Sequence, residues 1–231
     1  GHRDLPDPRS RDRRAVDRQR LRPEKGLTVA SPVDIANRAL TMLGASRITS
    51  LSDNRKEARE INAVYEQVRD EELRRYNWNF AIKRAALAAL TDAPPFGFSL
   101  QYRVPADFMR AIQVGDIYPA VNLSDVVGLD DSAYAIENDG AGRVIRTNMG
   151  APLNLRYVAR IEDSTVYDPL FVGTLAAKLA MEVAESLSAS TNKVDQASRN
   201  YRMAVAEAVR CNAIEKPPVK LADDTWIASR Q

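Results

Sequence analysis

The adjacent carboxylates Glu71-Glu72, Asp130-Asp131 and Asp223-Asp224 are of a type that suits general acid and base work. Such work needs two acids facing each other across a cleft with separated pKa values. Neighbours on a helix point about 100° apart, so Glu71-Glu72 cannot form that pair alone and reads as solvated surface. Asp130-Asp131 lies in a loop and has too few ligands for calcium. Gly140-Ala141-Gly142 lacks the third glycine and the following helix of a phosphate-cradling loop, and reads as a hairpin turn. Cys211 follows Arg210, which could activate a thiolate, but no histidine base accompanies it and a buried small hydrophobe is the simpler reading. The lone histidine, His2, sits in a charged leader. Zinc cages and histidine-based triads therefore have no residues to work with, and no catalytic, cofactor-binding or metal residue is assigned. Arg74-Arg75-Tyr76-Asn77-Trp78 could stack on bases, although a helix end plugging a core with Trp78 and Phe80 explains the same residues.

The elements that must position these residues are mostly helical. Ser31 can cap a helix with Pro32 at its first position and Asp34 at its third, and Gly44 supplies a left-handed stop. Asn54 with Glu57 forms a plausible capping pair for a second helix ending near Asn77, with Ala58, Ile61, Tyr65 and Val68 as its buried stripe. Asp168-Pro169 opens a third helix along Leu170, Leu175, Leu179, Val183 and Leu187. Lys178, Glu182 and Glu185 give that helix one narrow polar stripe, so it needs neighbours on several sides. A fourth runs from about 192 to 215, with small residues that permit close packing. Between the halves, 111–114, 133–137, 143–147 and above all 153–158 carry strand signals.

The fold class expected is α+β, mainly α: a bundle of about four helices with an inserted small antiparallel β lobe. Its segments are a disordered basic arm or leader (1–30), a first helical half (31–97), the β-rich lobe (98–160), a second helical half (161–215) and an extended docking tail (216–231). Candidate core residues are Leu40, Ile61, Tyr65, Trp78, Phe80, Leu175, Leu179 and Val183. Candidate docking residues, for a portal or a neighbouring subunit, are Leu221, Trp226 and Ile227, the apolar residues of a tail that follows Pro217-Pro218.

Charge is unevenly spread. Residues 1–26 hold nine Lys/Arg against five Asp/Glu, a local +4 that leaves about −2 for the rest of a chain whose net charge is +2. A nearly neutral body is not a nucleic-acid clamp by charge alone. One cysteine fits synthesis in a reducing cytoplasm. The apolar run 170–177 is far short of the roughly 20 residues that span a bilayer, and the leader lacks the apolar stretch of a signal peptide.

The order of segments resembles the tail tubular protein A family, the head-to-tail adaptor or gatekeeper proteins of short-tailed phages and related prophage particles. The resemblance is carried by 34–44, by the Asn54-to-Ala58 cap with its Trp78-Asn79-Phe80-Ala81 ending, and by Tyr102-Arg103-Val104-Pro105-Ala106-Asp107-Phe108-Met109-Arg110. Leu155-Arg156-Tyr157-Val158 and the helix over 171–187 complete it, so that it covers roughly 31–215. It implies a ring, commonly of twelve subunits, at the head-tail junction of a virion made in a bacterial host. It further implies a portal protein above, a tail nozzle or other tail protein below, and DNA passing through the lumen without sequence-specific binding. No enzyme activity, cofactor or membrane partner is implied. The helices are expected to form the ring wall, and the β lobe to meet the tail-side proteins. The alternative is a nucleic-acid-binding regulatory protein using its basic N-terminal arm.

Overall fold

The computed structural model describes residues 30–118, 133–188 and 190–215. Helix α1 (Pro32–Leu43) starts on a capping box, in which the Asp34 amide donates to the Ser31 hydroxyl and the Ser31 amide donates to the Asp34 carboxylate. It stops at Gly44, whose φ of 66° is one that a side chain would strain. Helix α2 (Lys56–Arg75) departs from expectation at its start. Its N-cap is Arg55, with no side-chain cap bond. Asn54 instead accepts from Arg59, and Asp53 is committed to the Thr49 and Ser50 amides. The helix closes at Arg75 with Tyr76 as its C-cap, near Asn77 as expected.

A short 3-10 turn (Asn79–Ala81) leads into strand β1 (Ile82–Leu87), which lies inside the stretch expected to be helical. Strands β2 (Leu100–Arg103), β3 (Phe108–Val114), β4 (Tyr134–Asn138), β5 (Arg143–Thr147) and β6 (Leu153–Ala159) follow. They form two antiparallel three-stranded sheets, ordered β1-β6-β3 and β2-β5-β4. The β4–β5 hairpin turns through Gly140 and Gly142, and Asp139 is held there by both terminal nitrogens of Arg103.

Helix α3 (Pro169–Ser188) is capped by the Asp168 carboxylate, which accepts from the Leu170 and Phe171 amides. Helix α4 (Thr191–Ile214) returns along it. The fold is therefore α+β, with four helices and two small sheets. Since α3 is apolar on nearly every side, it packs against α1, α2 and α4 together.

Two apolar cores result. One lies among the helices and takes in Leu40, Ile61, Tyr65, Trp78, Leu175, Leu179 and Val183, with Phe80 half-buried at its edge. Phe171 is its hub, with ring centroids 5.1 Å from Trp78 and 5.0 Å from both Phe80 and Tyr167. The other lies between the sheets, where Tyr102 and Ile145 meet Leu153, Leu155 and Tyr157. Only one face of the first sheet is covered in that way, and the opposite face has a different fate.

Candidate functional surfaces

Side chains alternate across a strand, so residues paired in register share a face. On the face of the first sheet turned away from the inter-sheet core, Ile82, Val158 and Arg110 form one row. Arg84, Arg156 and Gln113 form the next, and Ala86 with Asn154 the third. The first row runs under the helices, where Val158 joins their core. The second and third rows lie beyond that cover and floor a depression of about 430 Å³ lined by Arg84, Arg156, Gln113, Asn154 and Asp116.

Arg84 and Arg156 stand directly opposite each other, an arrangement that repels. Neither makes an ion pair among the described residues, and the buried Nε of Arg156 has no hydrogen-bond partner. Gln113, the remaining member of the row, gives its amide to the Gly115 carbonyl.

A second depression of about 410 Å³ adjoins this face, between the end of α2, strand β3 and the β4–β5 hairpin. Arg74, Arg110 and Arg143 line it over an apolar floor that includes Phe108 and Ile136. The partners of these arginines are neutral. Arg74 and Arg143 both donate to the Met109 carbonyl, and Arg110 donates to the Arg74 carbonyl at 3.0 Å and to Asn77 Oδ1 at 2.6 Å. Burial, and then the neighbouring charge of Arg74, push the Arg110 guanidinium below its ordinary pKa. It stays charged at neutral pH regardless. Among the described residues the only carboxylate lining this depression, Glu137, is paired with Arg146.

The helical side offers a different surface. Val166, Leu170, Met203 and Ile214 are exposed there, Ile214 by 73%. Met203 and Ile214 are eleven residues apart, three turns of helix, and so lie on one face of α4. Leu170 borders a depression of about 100 Å³ with Phe80, Asp168, Cys211, Asn212 and Glu215.

The residues singled out in the sequence fall as follows. Glu72 is not surface: it is fully buried between α2 and α4, accepts from the Tyr201 hydroxyl at 2.7 Å and lies 3.8 Å from Arg75. Burial raises its pKa, against the opposing pull of Tyr201, Arg75 and Lys178. Lys178 is likewise no part of a wet stripe; α4 covers it, with its ammonium 5.5 Å from the centre of the Tyr201 ring and bonded to Glu182. Cys211 is half-buried rather than buried. Trp78 is buried, donating to the Glu72 carbonyl at 2.7 Å, and offers no platform for bases.

Asp130-Asp131, Asp223-Asp224, His2 and the docking residues Leu221, Trp226 and Ile227 lie outside the described residues. Among the described residues no three His, Cys, Asp or Glu side chains converge on a metal position, and no helix is long and apolar enough to cross a membrane. Sequence reading missed the arginine rows, because their signal is a register between strands some 70 residues apart rather than a local motif.

No protein-family model matches the chain, and a search of curated proteins finds no match.

Proposed function

We propose that this chain is a structural head-to-tail adaptor of a phage-like particle, one subunit of a ring between a portal and a tail, whose four helices form a bundle in the ring wall. The single observation that carries the reading is the exposed apolar surface at the ends of α3 and α4. Val166, Leu170 and Ile214 are exposed, Leu170 borders a dent large enough for one side chain of a neighbouring copy, and Met203 lies on the same face of α4 as Ile214. Apolar surface left in water by an otherwise well-packed core is what a subunit interface uses. The segment order that resembles the adaptor family supports the same reading. The interface required is head-to-tail, since a ring closes only by repeating a heterologous contact.

Leu170→Asp combined with Ile214→Asp places charge on this surface without touching the core. In sedimentation at rising protein concentration, with and without a portal ring, the wild-type chain is expected to associate and the variant to remain a folded monomer. Equal association by the two proteins would remove this surface from the account. For the regulatory alternative, the burial of Trp78 removes the aromatic helix end as a stacking platform for bases.

A further inference from the structure

We infer that the arginine-bearing face of the first sheet, together with the adjoining groove at the end of α2, binds the phosphate backbone of duplex DNA without reading its sequence. Five guanidiniums line the two depressions, each from a different element: Arg74 from α2, Arg84 from β1, Arg110 from β3, Arg143 from β5 and Arg156 from β6. None is paired with an acid among the described residues.

Elsewhere in the molecule, arginines facing a strand or a turn meet carboxylates. Arg103 clasps Asp139, Arg146 clasps Glu137 and Arg160 reaches Asp70. On this face the pattern is reversed. Arg84 opposes Arg156, Arg74 crowds Arg110, and Arg74 and Arg143 share one carbonyl. Like charges set against one another cost stability, and an extended polyanion would remove that cost.

The arrangement favours phosphodiester over a single carboxylate. The arginine rows of the sheet are two residues apart along the strands, about 7 Å, and the second depression continues them past the sheet edge, so the charges form a track and not a point. Planar guanidiniums suit phosphate oxygens, and Gln113, the amide in the row with Arg84 and Arg156, is already bonded to Gly115. Backbone binding of this kind needs no ring and is expected of the isolated chain. Within a ring, this face would be turned to the channel.

The test is the salt dependence of binding to a random-sequence duplex, measured by fluorescence anisotropy on the full chain. The basic arm contributes equally to every variant, so differences report the face alone. Arg84→Gln with Arg156→Gln is expected to weaken binding about tenfold near 0.1 M salt and to lower the slope of log K against log salt by about 2. Arg199→Gln with Arg202→Gln, on exposed α4, is expected to leave both unchanged. If the double sheet variant fails to fold, Arg84→Gln alone is expected to lower the slope by about 1. An unchanged slope in a folded sheet variant would overturn the inference, as would a wild-type chain that does not bind duplex. Poly-glutamate competing as well as the duplex at equal charge would overturn it in favour of an acidic polypeptide.

Discussion

The helical layer and the first sheet treat charge in opposite ways. Between α2, α3 and α4, the buried Glu72 is surrounded by Tyr201, Arg75 and Lys178, and Lys178 has Glu182 as a second partner. Each buried charge there has an opposite neighbour, so the cost of desolvation is partly returned. On the open face of the sheet, arginines neighbour arginines. A charged group with its complement nearby is explained by the fold; one set against its like is better explained by something outside the fold. This contrast separates the part of the molecule that builds from the part that binds.

The comparison is broken most easily at the hub of the helical core. Phe171 is fully buried and touches three other rings, so Phe171→Ala is expected to cost about 3–5 kcal/mol through lost burial and the cavity left behind. Urea unfolding would show it as a lowered midpoint. A loss below 1 kcal/mol would mean that the helices do not depend on this cluster.

The buried acid comes next. Glu72→Ala leaves Tyr201 and Lys178 short of a partner and is expected to cost about 2 kcal/mol, whereas Glu72→Gln keeps the acceptor for Tyr201 and removes the charge. The sign of the pH effect follows from the raised pKa. The folded state holds this proton more tightly than the unfolded chain, so the contribution of Glu72 is fully present below its ordinary pKa of 4.5 and is lost as pH rises through its folded value. Thermal melts from pH 4 to pH 7 are expected to fall less steeply for Glu72→Gln than for wild type, and parallel curves would contradict this.

The smallest effect is the most discriminating. Because Arg84 faces Arg156, Arg84→Gln is expected to raise stability by a few tenths of a kcal/mol, while weakening the binding of duplex. Stability gained and binding lost in one variant is the signature of a charge kept for a partner. A variant that loses both would make Arg84 structural.

Much of the helical part was legible because its signals are local. Ser31 with Asp34, Gly44, and Asp168 with Pro169 each fix a helix end within four residues, and 143–147 and 153–158 alternate as half-covered strands do. Strand β1 was not legible. Its sequence, Ile-Lys-Arg-Ala-Ala-Leu, lacks both β-branched enrichment and clean alternation, since its first row packs on helices and its second is open. Asn54 misled for a related reason: a side chain with two nearby backbone targets and an arginine in reach does not declare which it will choose. The burial of Lys178 and Glu72 depends on where α4 crosses, a tertiary fact with no local trace.

The claim on which the rest turns is that copies of this chain assemble through the exposed ends of α3 and α4. Class averages of the full chain mixed with a portal ring would test it most directly. The account predicts a closed ring seated on the portal, absent when Leu170 and Ile214 are both aspartate; a folded chain that stays monomeric beside the portal, or a ring that forms equally well from the double variant, would contradict it.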